Sequence, residues 1–219
     1  MIFYELCCCN RLEVKCNSIN LALAFTATLV RTLRELGFGA KVIIECPLPN
    51  AFSHPSVLAM CSSSARVYHG QLTLCTETQL DEPGEHETNT KTILVSERRA
   101  RENVWANVFL QGFIKNVDEC FIDVRMSRGI VAVIRGSEAE LYRISHGALR
   151  PDMPEDMMSI LEILSSSDAM PMKVLMRSLK NYVDRARLIE VIGLLRELKI
   201  VDVDRGQVIL RRRIRIARD

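Results

Sequence analysis

The chain lacks most of the features that announce a function. Its 219 residues include one tryptophan and only 5% aromatics. No apolar run reaches the roughly 18 residues that a membrane-spanning helix needs. The longest candidate, Ile19 to Val30, contains Asn20, Thr26 and Thr28 and stops at Arg31, so no membrane partner is expected. No basic region precedes an apolar stretch at the N-terminus, and Glu5 interrupts it early, so no secretory signal is expected. There is no C-x-x-C pair, which removes the signatures of zinc ribbons and thioredoxin-like sites. H-E-x-x-H, G-x-S-x-G and any recognisable Cys–His spacing are missing, and the four histidines are scattered. Gly37-Phe38-Gly39 has neither the third glycine nor the following helix of a phosphate-binding loop. These absences leave no catalytic residue, metal site or cofactor to name, and the chain reads as a non-enzyme.

What is present is a globular composition, with 48% hydrophobic and 26% charged residues. The formal net charge of +2 hides an uneven distribution. Arg205 to Arg218 holds six arginines and no acid, whereas Glu77 to Glu87 holds five acids and no base. All eight cysteines, Cys7, Cys8, Cys9, Cys16, Cys46, Cys61, Cys75 and Cys120, precede residue 121. Three are consecutive in an apolar run of a long chain, which argues against a disulfide framework and for a reducing, intracellular setting, cytoplasmic or in a nucleoid or nucleus. Free cysteines of this kind serve as small core hydrophobes. The alternative is a soft-metal or redox site built from Cys7, Cys9 and Cys16 or Cys46.

Periodicity predicts a mixed N-terminal domain. Ile2 to Cys16 reads as one or two strands. Asn17 or Ser18 is placed to cap a helix whose apolar residues, from Ile19 to Leu36, fall at helical spacing. Gly37 and Gly39 end it. Lys41 to Cys46 is a β-branched strand. Ala65 to Thr76 alternates like a strand, Asp81 to Lys91 is an acidic loop, and Thr92 to Val95 is a further strand. Arg101 to Val117, apolar almost all round, predicts a buried helix. Phe121 to Met126, Ile130 to Arg135 and Ala139 to Ser145 predict an antiparallel meander with turns at 127–129 and 136–137. The two prolines of Arg150-Pro151-Asp152-Met153-Pro154 mark a domain boundary, giving an α+β domain over 1–150 that senses, dimerises or binds a partner, and a second domain over 151–219.

In that second domain, helices are expected over Glu155 to Leu164, from Pro171 to about Leu179, and after Asp184 as N-cap. A hairpin follows, from Ile200 to Val203 and from Gln207 to Arg213 around Asp204-Arg205-Gly206. Three helices and a hairpin in this order resemble the winged helix-turn-helix superfamily. The resemblance implies that the third helix, Arg185 to Lys199, enters a DNA groove and that the wing tip, Asp204 to Gln207, touches backbone. The residues placed to meet phosphate are Arg185, Arg187, Arg196, Lys199, Arg205, Arg211, Arg213 and Arg215. Along the final strand, Val208 to Ile216, side chains alternate, so Arg211, Arg213 and Arg215 share one face and could bridge successive phosphates; the alternative is a solvated, aggregation-resistant edge. Asp184, Glu190 and Glu197 on the third helix weaken its attraction for a polyanion. Ile189 and Leu194, apolar and off the main core face, suit a protein partner. Two functions follow: a DNA-binding transcriptional regulator or DNA-associated factor, or an adaptor subunit whose winged helix binds protein. A homodimer is a further possible assembly. A second, weaker resemblance rests on Phe109-Leu110-Gln111-Gly112-Phe113-Ile114-Lys115-Asn116, which looks like the packed helix of the LAGLIDADG fold. Lys115 and Asn116 stand where that family's nucleases need an acid, so nuclease activity is not expected.

Overall fold

The computed structural model describes residues 2–9, 11–45, 54–60, 64–68, 71–76, 90–100, 103–111 and 119–215. The chain is α+β, with a long run of strands between its N-terminal and C-terminal helices, and forms two compact units. One comprises Met1–Val124 with Ile144–Leu149, the other Arg125–Arg143 with Arg150–Asp219. The second unit thus takes in the Arg125–Arg143 stretch, which the sequence groups with the N-terminal domain.

The first unit is a sheet with helices packed around one long helix. Its elements are α1 (Ile2–Cys7), β1 (Arg11–Cys16), α2 (Ile19–Glu35), β2 (Gly39–Glu45), α3 (Pro55–Met60), β3 (Ser64–Tyr68), β4 (Gln71–Thr76), β5 (Thr90–Ala100), β6 (Asn103–Gln111) and the start of β7 (Glu119–Ser127). The hydrogen-bonded order runs β7-β1-β6-β5-β2-β4-β3. β1 lies parallel to β7, and β2 parallel to β5. α2 is the strand-to-strand crossover, and it is buried from Leu21 to Thr32 except at Arg31. Three threonines survive that burial because Thr26, Thr28 and Thr32 donate their hydroxyls to carbonyls one turn back. Ser18 caps its start by accepting from the Leu21 amide at 3.2 Å. Gly37, at φ +80°, ends it: the Gly37 and Phe38 amides donate to Arg34 and Leu33 carbonyls at 2.9 and 2.8 Å. α1 and α3 pack on α2, with the Phe3 and Phe25 rings 5.0 Å apart.

Two expectations are corrected in this unit. Ile2–Cys7 is helical, because Ile2, Phe3, Leu6 and Cys7 bury one face at helical spacing; in so short a run, that pattern competes with β propensity. Residues 103–111 form strand β6, paired with both β1 and β5. Their apolar residues on both faces fit a central strand as well as a buried helix. Phe109, Leu110 and Gln111 are therefore extended; the rest of the segment likened to LAGLIDADG, 112–116, lies outside the described residues, as do residues 81–89 of the acidic loop expected over 81–91, whose last two residues instead open β5.

The second unit opens with a hairpin, β8 (Ile130–Arg135) and antiparallel β9 (Glu138–Ser145), as expected. After β10 (Ala148–Arg150) come α4 (Glu155–Ser165), β11 (Ala169–Pro171), α5 (Met172–Ser178), α6 (Arg185–Glu197), β12 (Val201–Asp204) and β13 (Gln207–Leu210). β11, β13 and β12 form a three-stranded antiparallel sheet in that order. β11 is an element that its three residues gave no periodicity to reveal. Ile130, Ala132, Ile134, Ala139 and Leu141 of the hairpin belong to one apolar core with Ile160, Leu161 and Leu164 of α4 and Leu188, Val191 and Leu195 of α6.

The final strand is broken. The amides of Arg211 and Arg212 both donate to the Ile200 carbonyl, at 2.8 and 3.3 Å, and the Arg213 amide turns to the Ser137 carbonyl at 2.8 Å. β14 (Arg213–Arg215) then pairs in parallel with β9, burying Ile214 in the core. The segment over 207–215 thus serves two different sheets.

Candidate nucleic-acid interface

α6 is set by its ends. Asp184 accepts from the Arg187 amide at 2.7 Å, the expected N-cap. At the other end the Lys199 and Ile200 amides close onto the Arg196 and Leu195 carbonyls, both at 2.9 Å. This closure holds Lys199 at φ +60°, a conformation that costs a non-glycine residue. Leu188, Val191, Ile192, Leu194 and Leu195 are buried. Leu194 therefore belongs to the core, whereas Ile189 remains 53% exposed.

The outward side of α6 divides into two edges. Arg185, Ile189 and Arg196, at i, i+4 and i+11, share one. Glu190 and Glu197, seven residues apart, share the other. The acids on that second edge are already engaged. Arg187 bridges Asp156 Oδ2 at 2.5 Å and Glu190 Oε2 at 2.9 Å. Glu197 accepts from the Ser127 hydroxyl and meets Arg128 Nη2 at 3.2 Å. Its carboxyl is held below the ordinary range by the Ser127 hydrogen bond first and by Arg128 after it. Asp156 is held low chiefly by its hydrogen bond from Arg187, and Asp202 by the Arg211 guanidinium, 3.0 Å away.

The eight basic residues singled out from sequence thus separate into two groups. Arg187, Arg211 and Arg215 are committed to carboxylates, the last to Glu138 at 2.8 Å. Arg185, Arg196, Lys199, Arg205 and Arg213 are exposed and make no ion pair among the described residues. Arg205 sits at φ +47° in the β12–β13 turn, beside Gly206 at +78°. Arg213 and Arg215 stand on β14, away from the β12–β13 hairpin strand that carries Val208, so the three-arginine ladder does not form as one face. Three further exposed cations escaped the sequence reading: Lys173 and Arg177 on α5, and Lys180 just beyond it. Their signal was their i, i+4 spacing on a short helix with no acid. Between Met172 and Gly206, Asp204 is the acid that neither caps a helix nor pairs with an arginine among the described residues.

Of the first unit's cysteines, Cys8 is free and exposed, whereas Cys7, Cys9, Cys16 and Cys120 serve as core or cross-link. Cys7 and Cys16 are free and buried; burial pushes the Cys7 thiol up to about 12 and the Cys16 thiol higher still. Cys9 and Cys120 form a disulfide, which corrects the expectation of reduced thiols throughout. The parallel register that sets Leu12 opposite Cys120 brings the start of β7 alongside the residues before β1, a proximity that 111 residues of separation conceal in the sequence. The bond also removes the cysteine argument for a reducing compartment. Among the described residues, no group of His, Cys, Asp or Glu is arranged to hold a metal, and no helix is long and apolar enough to cross a membrane.

No protein-family model, no curated protein and no solved structure matches the chain.

Proposed function

We propose that the chain is a non-enzymatic DNA-binding protein, a transcriptional regulator or DNA-associated factor, acting through a winged helix formed by α4 to β13. The observation that carries the reading is the segregation of charge on α6. Its acids are paired with arginines on one edge, while on the other Arg185 and Arg196 make no ion pair among the described residues, although Arg196 stands close enough to Asp202 to help hold that carboxyl low. A polyanion approaching that second edge meets exposed cations, Arg196 partly offset by Asp202 and Arg185 without an acid partner among the described residues, with Lys199 and Arg205 nearby in the chain and Lys173, Arg177 and Lys180 preceding them. The order helix, strand, helix, helix, strand, strand supports the fold assignment. The test is binding of a short duplex by the full chain across a salt series. Each phosphate contact adds close to one unit to the slope of log affinity against log salt. Absence of duplex binding at low salt rejects the proposal.

The exposed Ile189 favours one other reading, an adaptor whose α6 docks on protein. Ile189→Asp separates the two, since it abolishes an apolar contact and only moderately weakens phosphate binding.

A further inference from the structure

Tyr182 is the most exposed large apolar side chain among the described residues, at 73%. It lies in the link between α5 and α6, two residues after Lys180 and three before Arg185. Neither its ring nor its hydroxyl has a partner among the described residues. Lys173, Arg177, Lys180 and Arg185 around it in sequence are exposed, and the single acid of the stretch, Asp184, is used in capping α6. An aromatic ring held in water within a run of unpaired cations is matched by a ligand that presents both negative charge and flat apolar faces. Nucleic acid has both. In a duplex, however, the base faces are stacked on one another and only their edges reach the grooves. A ring stacks most readily on an unpaired base, since within a duplex it reaches a base face only at the terminal pair or by prising a step apart.

We propose that the α5–α6 link recognises unpaired nucleotides adjoining a duplex, with Tyr182 stacking on a base and Lys180 and Arg185 holding the flanking phosphates. The inference rests on the nucleic-acid reading of α6 and deepens it by naming the form of nucleic acid preferred.

The experiment compares the full chain on a fluorescent blunt duplex and on the same duplex extended by a single-stranded overhang. Stacking of one base predicts roughly tenfold tighter binding to the overhang form. Tyr182→Ala lowers the overhang affinity to the blunt value and leaves blunt binding unchanged, while Tyr182→Phe retains the preference. Because the side chain is exposed, thermal unfolding of both variants should match that of the parent, which keeps the comparison interpretable. Equal affinity for the two duplexes, or an equal loss on both with Tyr182→Ala, overturns the inference while the α6 reading stands. Overhang binding without blunt binding supports the inference and rejects α6 as a duplex reader. Binding to neither rejects both.

Discussion

Replacing Gly147 by alanine tests how the Ile144–Leu149 segment is fixed to the first unit. Gly147 has φ +75°, and a Cβ built on it would overlap the Pro55 carbonyl and come within 2.5 Å of the Ser56 amide nitrogen. Those atoms open α3, so neither can move without disturbing the helix start. The segment is held further by the Leu149 amide, which donates to Thr28 Oγ1 of α2 at 2.7 Å. The left-handed conformation alone costs alanine about 1–2 kcal/mol, and overpacking against fixed neighbours adds about 1–3 kcal/mol. The expected loss is therefore about 2–5 kcal/mol. Gly37 is the control within the same unit: φ is +80° but nothing lies within 4 Å of its added Cβ, so Gly37→Ala carries the backbone cost of about 1–2 kcal/mol alone. Urea unfolding followed by fluorescence of Trp105, which lies in β6 of this unit, reads both variants. The Gly147→Ala midpoint should fall well below that of Gly37→Ala, with the slope unchanged. Equal midpoints for the two variants would refute the close approach of Gly147 to α3.

The Cys9–Cys120 bond spans 111 residues, so loop-closure entropy gives it about 4–5 kcal/mol. Cys120→Ser, or a dithiol reductant, should lower the first unit's denaturant midpoint accordingly, whereas Cys8→Ser should not. Lys199→Gly relieves the left-handed cost and should stabilise the second unit by about 1 kcal/mol, seen as a raised thermal midpoint. On the nucleic-acid reading it also makes the salt dependence of duplex binding shallower. Asp156, Glu197 and Asp202 all have carboxyls depressed in the fold. They bind fewer protons folded than unfolded, so their contribution is present above their ordinary values of 3.8, 4.5 and 3.8. It is lost as pH falls through and below them. Stability of the second unit, followed by circular dichroism, should therefore decline in acid, and less so in Asp156→Asn, which has already lost its pair with Arg187.

The second unit was the more legible part of the chain because its signals are local. Asp184 capping α6, the apolar spacing of α4 and α6, and the Arg205-Gly206 turn are each decided by a few neighbouring residues. The first unit depends on pairings that cross the sequence. β6 is central because β1 and β5 flank it, and nothing within 103–111 distinguishes a central strand from a buried helix. The same holds for Cys9 and Cys120, joined only through the β1–β7 register. In the candidate interface, the residue types were readable but their pairing was not. Arg187 faces Asp156 across 31 residues and Arg128 faces Glu197 across 69, so which cations remain uncompensated is a property of the fold.

That distinction alters what the near-neutral total charge means. Surface charges separated by more than about 8–10 Å are largely screened at moderate ionic strength, so a phosphate responds to local imbalance and hardly to the sum over the chain. A cation within 3 Å of a carboxylate presents little net charge at that range. Arg187, Arg211 and Arg215 therefore add less to a polyanion field than their number suggests, while they cancel acids that would oppose it. The acids of α6 thus count against nucleic-acid binding when read along the sequence and lose most of that weight once paired. Exposed ion pairs contribute little to stability on their own. Their larger consequence here is electrostatic: on the nucleic-acid reading, Arg185, Lys199, Arg205 and Arg213, with Arg196 partly offset by Asp202, are the charges that an approaching strand would meet.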